Sequence, residues 1–566
     1  MDTSKVLAEF LGDDGFPVEW KDEAEKKLFW FYDDNHIPFP VSPMFFSMDG
    51  WWGPTCEYLF RRFDVDSGVK WHGKRINGYV YTAIEPRAPK DAEEAGKYYG
   101  WVMPTYATNF LDWWENRYLP EVLLNFKYID NFDTENATLP ELMIYLEEMV
   151  DIQERNFRLH WILNWAQFTA SMGFGGAVSE LIGEVDQDIM GKVNVSRADR
   201  NWDSLKALWV LKNEVAADPD LNTLFRGTKP EEIRAKLEST SKGKAFVQKV
   251  VAYSKEFGYK AIYTHEYVFP LYVEDQTPIF GQIKSYLESD FNYNSVYDKC
   301  IKEQDDAIAY LRDKMVGKSA EDIKKFEDAL DLNLKMLPLT PDHHFYFDQG
   351  TYARMRLVLL SVGRKMVKDG LLDTADDIMF LEYEQLRRYV GDPDIYPGRK
   401  IIADEKAAKI VAEKQIPKDW VGTVTQQNMY EEPYHTLWGY PEKFEREQSG
   451  DKVAGVIAGL PASPGTVEGI ARVVRSTDEF DEVQQGDIIV CIMTNPAWVV
   501  VFSKIAGIVT DSGGVLSHSA VVAREFMLPA VVGTSSATKE IKTGDRISVD
   551  GDTGVVKILS SSKTIF

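Results

Sequence analysis

The stretch Gly513-Gly514-Val515-Leu516-Ser517-His518-Ser519-Ala520-Val521-Val522-Ala523-Arg524-Glu525 decides how this chain is read. Two glycines release the backbone after an apolar run, and a serine follows as a helix N-cap. His518 then stands in the first turn of the helix. There the positive end of the helix dipole and free backbone N–H groups can hold a phosphate. The apolar run 505–509 ahead of Thr510-Asp511, and the segment 529–532 behind the helix, read as buried strands.

The chemistry suits the residue. A neutral imidazole is a nucleophile near pH 7, unlike Ser or Lys at their ordinary pKa values. Phosphohistidine is a high-energy donor, so one hard transfer becomes two easier ones. Ser517 and Ser519 flank the ring as hydroxyl donors to phosphate oxygens or to the ring itself. Arg524, further along the helix, either pairs with phosphate charge or binds Asp511 or a nearby carbonyl.

Around this motif the sequence resembles the phosphohistidine domain of phosphoenolpyruvate-utilising enzymes. That family includes pyruvate phosphate dikinase, phosphoenolpyruvate synthase, phenylphosphate synthase and rifampicin phosphotransferase. The resemblance begins at Pro461-Ala462-Ser463-Pro464-Gly465 and the strand-like 467–474. It continues through Gly486-Asp487-Ile488-Ile489-Val490 and Thr494-Asn495-Pro496-Ala497-Trp498. It closes with Thr510-Asp511, the histidine motif, Leu528-Pro529-Ala530-Val531-Val532-Gly533-Thr534 and Gly544-Asp545. It implies that His518 carries a phosphoryl group between two active sites. Gly513, Gly514, Thr494, Thr510, Ser517, Ser519 and Arg524 would support the phosphate around it.

Composition sets bounds. A chain of 566 residues holds about three domain-sized units. The formal net charge is −25 and no Lys/Arg-rich run occurs, which argues against nucleic acid and anionic membranes as partners. Cys56, Cys300 and Cys491 are scattered and make neither a disulfide framework nor a zinc site. No metal site and no prosthetic group are expected in this chain. The start, Met1-Asp2-Thr3-Ser4-Lys5, lacks a basic region followed by an apolar run, and no stretch is long and apolar enough for a bilayer. A cytoplasmic, reduced location is expected.

The expected class is α+β: a large, mainly helical, aromatic-rich substrate domain over 1–440, a hinge linker at 441–454, and a β/α swivelling phosphohistidine domain over 455–566. Helical patterns recur at 138–168, 204–218, 231–257, 297–315, 319–335 and 352–370. Thr138-Leu139-Pro140-Glu141 and Ser319-Ala320-Glu321-Asp322 supply N-terminal signals, and Gly370 a stop. Residues 79–86 read as a strand. The segments Phe16-Pro17-Val18-Glu19-Trp20, Pro38-Phe39-Pro40-Val41-Ser42-Pro43, Asp342-His343-His344-Phe345 and 357–386 resemble the rifampicin phosphotransferase and phenylphosphate synthase branch. In that branch the equivalent segment is a mainly helical substrate-binding domain.

With 15 Trp in the chain, an apolar pocket for a flat ring is one reading of this part. The stripe Phe157/Trp161/Trp165 fits a core as well as a ligand site. The best polar cluster is His343, His344, Asp348, Arg354 and Arg356. A phenolic hydroxyl needs a base, and a histidine backed by Asp348 can serve. Arg356 can neutralise charge on the transferring phosphoryl group, the position where relatives tend to carry a basic phosphate contact. The same cluster also reads as a polar helix start with surface arginines. His160, beside Trp161, is an alternative base; His36, His72, His265 and His435 read as structural.

No Walker-type string occurs, nothing resembles an ATP-grasp module, and a chain ending soon after His518 leaves no room for a phosphoenolpyruvate barrel. The leading expectation is therefore a phosphotransferase subunit. It takes phosphate on His518 from an ATP-grasp-type partner, which holds Mg2+ and ATP, and passes it to the hydroxyl of a small aromatic substrate. The alternatives are a rifampicin-like antibiotic or pyruvate as acceptor, or a non-catalytic regulatory protein with a degenerate phosphohistidine domain. One imidazole serving two sites requires the C-terminal domain to travel, so its interface with 1–440 is expected to be modest and polar.

Overall fold

The computed structural model describes residues 16–34, 36–48, 53–261, 263–288, 291–413, 415, 417–425, 455–475, 477–494, 498–502, 504–513, 519–520, 523 and 528–561. The expected linker 441–454 lies outside the described residues, as do Trp51, Trp52, Gly514, Ser517, His518 and Arg524. The fold is α+β, a large helical region followed by a separate C-terminal domain built on a sheet.

The helix Leu139–Leu181 is the spine of the helical region. Thr138 starts it: its hydroxyl accepts the Glu141 N–H at 3.4 Å, and Glu141 Oε2 accepts the Thr138 N–H at 2.7 Å. It runs past the expected end at 168 because Ala170, Phe174, Ala177 and Val178 keep one face buried. Phe174 meets Phe326 of the helix Ala320–Met336 with ring centroids 6.1 Å apart. The pattern over 231–257, read as one helix, is two: Pro230–Glu238 and Ser241–Phe257. Thr240 separates them, and its hydroxyl accepts the Gly243 N–H at 2.9 Å. Ile233 and Leu237 of the first helix and Phe246, Val250 and Tyr253 of the second are buried, so apolar residues recur on both sides of the break and only the cap marks it.

The helix Gly350–Lys368 packs along the spine. It is preceded by the short helix Leu339–His343 and a π-helical turn, His344–Gln349. A small antiparallel sheet closes one end of this region in the order β2-β3-β1-β4. Its strands are β1 (Phe29–Tyr32), β2 (Lys70–Ile76), β3 (Tyr79–Glu85) and β4 (Trp420–Gly422). β4 returns from far along the chain to set Gly422 opposite Phe29.

The C-terminal domain holds β5 (Val456–Ala458), β6 (Leu460–Ser463), β7 (Thr466–Val473), β8 (Ile488–Cys491), β9 (Gly507–Thr510), β10 (Ala530–Val532), β11 (Arg546–Asp550) and β12 (Val555–Ser560). The sheet order is β5-β12-β11-β7-β8-β9-β10-β6. β5 and β6 are one run interrupted at Gly459, so the two edges of the sheet meet there. β7, β8, β9 and β10 are parallel neighbours, and β8 and β9 are buried along their whole length. The histidine motif leaves from the C-terminal end of β9, the edge at which open parallel sheets place ligands.

The contact between the two parts is not the polar seam expected. The helix Thr277–Glu288 lays Ile279, Phe280, Ile283 and Tyr286 against the segments Thr477–Glu482 and Val499–Phe502. Phe480 and Trp498 form an edge-to-face pair in that apolar cluster, and Lys504 reaches Glu288 at 3.4 Å.

Gly363 lets the helix Gly350–Lys368 lie against the turn Ala375–Phe380: a Cβ there would stand 2.3 Å from the Ala375 carbonyl oxygen. Gly363→Ala is expected to lower the unfolding free energy by about 1–3 kcal/mol, the cost of overpacking. An unchanged urea midpoint would contradict this packing.

Candidate functional site

The spine helix buries a stripe that is polar, not apolar: Gln153, Asn156, His160, Asn164 and Gln167, at helical spacing. Its members are held by specific bonds, since a buried amide without partners is costly. Gln153 Nε2 donates to the Met48 carbonyl at 2.8 Å, and its Oε1 accepts from Tyr267 OH at 2.9 Å. Asn156 Nδ2 donates to Thr351 Oγ1 at 3.0 Å. His160 lies in the middle of this stripe.

The π-helical turn faces it. Such turns widen a helix and recur at functional sites. Here the turn sets His344 and Asp348 on one side, with His344 Nδ1 2.8 Å from Asp348 Oδ2. Three more imidazoles close on the same carboxylate through Nε2: His160 at 3.4 Å, His343 at 3.6 Å and His265 at 3.7 Å. His265 Nδ1 lies 3.2 Å from the His36 carbonyl, and the His36 and His265 rings are 5.9 Å apart. Five of the eight histidines of the chain thus converge on one place. Asp348 is 4% exposed and His160 5%. The side chains of His344 and His36, 31% and 41% exposed, form the open side.

Burial disfavours charge on these rings. It pushes His160 down to about 3 and His343 down to about 4, and lowers His265 as well, so all three are neutral at pH 7. Burial would raise Asp348, but His160 and the imidazoles of His265 and His344 hold it well below the usual carboxylate range. Burial also opposes charge on His36, yet Asp33 at 2.8 Å raises it. The cluster is an ionised carboxylate ringed mainly by neutral imidazoles.

The sequence reading placed His343, His344 and Asp348 together and named His160, and the structure brings all four into contact. It missed His265 and His36. His160 was named only for its place beside Trp161; the stronger signal, unused, is the polar stripe at 153, 156, 160, 164 and 167 that runs beside the aromatic one. Phe157 and Trp161 of that aromatic stripe are core: Trp161 Nε1 donates to Thr55 Oγ1 at 3.2 Å, and Phe157 packs on Tyr352 at 4.7 Å. On the far side of Tyr352, Lys260, Thr264, Glu266 and Gln349 line a small cavity. Burial pushes Lys260 down to about 8.

The arginines are placed otherwise than expected. Arg356 forms a two-pronged pair with Glu274, at 2.8 and 3.0 Å, and bonds Asp376 at 2.9 Å and the Tyr267 carbonyl at 2.5 Å. Arg354 is clamped between the rings of Phe126 and Tyr259, each 3.9 Å away, and pairs with Asp130 at 2.7 and 2.9 Å. Both charges are met within the fold, which corrects the reading of Arg356 as a counter-charge for phosphate.

In the C-terminal domain, Ser519 turns inward: its Oγ accepts from Thr494 N at 3.1 Å and from Thr494 Oγ1 at 2.9 Å. This ties the loop after β8 to the motif helix. Thr510 Oγ1 donates to the Ser512 carbonyl at 2.7 Å. Asp511 accepts Thr538 N at 3.0 Å and Thr534 Oγ1 at 3.3 Å. Gly513 has φ +104°, a conformation that favours glycine, as the motif required. Thr494, Thr510 and Ser519 therefore build the frame of the motif. This edge of the domain meets the helical region. Met493 packs on the core around the spine, and Tyr263 OH donates to the Arg475 carbonyl at 3.4 Å. Burial, then Cys491 and Asp511, push the Tyr263 phenol up. Tyr263 lies two residues before His265.

Two family models match the chain: the mobile domain of PEP-utilising enzymes over residues 483–554, and the fourth domain of rifampicin phosphotransferase over 168–335. An uncharacterized phosphotransferase, YvkC, of Bacillus subtilis is 25% identical over 95% of this chain and 63% of its own length. The rifampicin phosphotransferase of Bacillus cereus is 36% identical over 37% of this chain and 22% of its own. A probable phosphoenolpyruvate synthase of Pyrococcus abyssi is 45% identical over 20% of this chain and 14% of its own. The chain thus spans less than two thirds of the length of each of these relatives. Among the described residues no helix is long and apolar enough to cross a membrane.

The Arg356 contacts carry an expectation. Arg356→Ala should destabilise the fold by about 1–3 kcal/mol, the order of hydrogen bonds to charged groups. The loss stays below that of a fully buried pair because Glu274 and Asp376 reach solvent. A chemical denaturation midpoint equal to that of the unaltered protein would show that this network holds nothing.

Proposed function

We propose, for a chain that fits the PEP-utilising enzyme family and its rifampicin phosphotransferase-like branch, a two-site phosphoryl relay. His518 takes a phosphoryl group from an ATP- and Mg2+-using partner and delivers it to the hydroxyl of a small aromatic acceptor at the Asp348 cluster. The observation that carries this reading is the docking of the C-terminal domain. The edge from which the motif leaves β9 lies against the segment that bears His265.

The cluster supports the chemistry of the second half-reaction. The acceptor oxygen attacks phosphorus; the P–N bond to His518 breaks, and its electron pair stays on the imidazole. The hydroxyl proton passes to His344. Its Nδ1 donates to Asp348, which leaves the other ring nitrogen as the base, oriented by the carboxylate. The apolar rings around His160 limit water, which would otherwise compete for the phosphoryl group. The match to the rifampicin phosphotransferase fourth domain supports a second acceptor class, a rifampicin-like antibiotic.

The test is labelling. With radiolabelled ATP, Mg2+ and an ATP-grasp partner, this chain should gain an acid-labile, base-stable label, and His518→Ala should gain none while keeping its circular dichroism spectrum. Labelled His518→Ala protein would end the carrier role. The pure chain is expected neither to hydrolyse ATP nor to phosphorylate phenol, and either activity without a partner would overturn the division of labour.

A further inference from the structure

We propose that His160, His343 and Asp348 bind a divalent transition-metal ion of the zinc type, with a coordination position left for the acceptor hydroxyl. The inference rests on the acceptor-site reading for the role of the ion, but not for its binding. It departs from the sequence expectation that this chain holds no metal.

Distance carries the argument. A ligand atom of each of His160, His343 and Asp348 lies within 4.8 Å of the other two. The Nε2 atoms stand 3.4 and 3.6 Å from the carboxylate oxygens. A well-formed N–H···O bond is about 2.9 Å, so these are not hydrogen bonds of ordinary length. Two ligands each bound at about 2.0–2.1 Å to a tetrahedral zinc lie about 3.3 Å apart. The two distances run to Oδ1 and Oδ2 in turn and the third pair of ligand atoms stands within 4.8 Å, so a small inward shift would close the three on one ion. Asp348 Oδ1 is buried and makes no hydrogen bond of ordinary geometry; its neighbours are the Nε2 atoms of His160 at 3.4 Å and His265 at 3.7 Å.

The outer contacts fit as well. His344 Nδ1, at the true hydrogen-bond distance of 2.8 Å, fixes Asp348 from behind. The backbone carbonyls of Leu339 and Thr340 lie near the His343 ring, whose Nδ1 makes no hydrogen bond of ordinary geometry. The Asn164 amide nitrogen lies 3.3 and 3.5 Å from the two nitrogens of His160. Such second contacts set the orientation of metal-binding imidazoles and carboxylates. Two imidazoles and one carboxylate are a zinc-type donor set, and three protein ligands leave a fourth position open. An oxygen bound there is made more acidic, and a hydroxyl acceptor needs that to attack phosphorus.

The experiment uses the full chain, stripped with a chelator and then titrated with ZnCl2 and, separately, CoCl2. Bound metal is measured by elemental analysis after gel filtration. The expected result is about one ion per chain, as a single three-ligand site requires. Cobalt should give the strong visible bands of a low-coordinate site. His160→Ala and His343→Ala should lose both signals, and His72→Ala, on the surface strand β2, should keep them. Unaltered protein that retains no zinc, or that shows only the weak spectrum of aqueous cobalt, overturns the proposal. So do cluster variants that bind as the unaltered protein does. Should a variant not fold, the unaltered protein decides alone: zinc must raise its melting temperature, and no rise counts against the site. Because every readout is binding, a failed relay with zinc bound sinks only the relay, and a working relay without zinc sinks only the metal.

Discussion

An ionised carboxylate inside a helical core is expensive unless its charge is met, because burial strips away its hydration. Asp348 is in that position, and the surrounding architecture answers to it. The π-helical turn brings His344 onto the same side as the carboxylate. The spine helix spends one face on amides and His160 where leucines would have packed more simply. The segment through His265 is held in turn: Tyr267 OH donates to Gln153, and Glu266 accepts from Ser42 Oγ at 2.7 Å. Remove the carboxylate and the four imidazoles that close on it lose their shared partner.

On the proposed relay, a second constraint is that one imidazole must serve two sites. A side chain reaches only a few ångströms, whereas phosphoryl transfer needs the reacting atoms roughly 3 Å apart. The whole domain must therefore dock, and the apolar contact made by Ile279, Phe280, Ile283 and Tyr286 with Phe480 and Trp498 gives a docked state real stability. A polar interface would have favoured easy departure. On the same reading, leaving an apolar contact is itself a costly step, to be offset by contacts with the proposed partner.

Much of this was legible in the sequence, and the reasons are local. The strands β9 and β10 announced themselves as short apolar runs, β8 stood only in the family resemblance, and Gly513 marked the place where the backbone is released. Thr138 and Ser319 marked helix starts because capping is chemistry between near neighbours. What escaped depended on distant partners. Arg356 looked like a phosphate ligand until Glu274 and Asp376, brought beside it by the fold, met its charge. His265 looked structural because nothing within its own segment shows that it closes on Asp348. The break at Thr240 hid because buried apolar residues recur on both sides of it and only a local cap marks it.

The central claim, that phosphate leaves His518 at the Asp348 cluster, is tested most directly by a single discharge. Protein labelled on His518, freed of ATP, is mixed with phenol, and loss of label is followed for the unaltered chain and for Asp348→Asn. The account predicts equal charging of the two proteins and a discharge slowed by about 100-fold or more in the variant, the usual contribution of an oriented base. Discharge at an unchanged rate from a folded Asp348→Asn protein would contradict it.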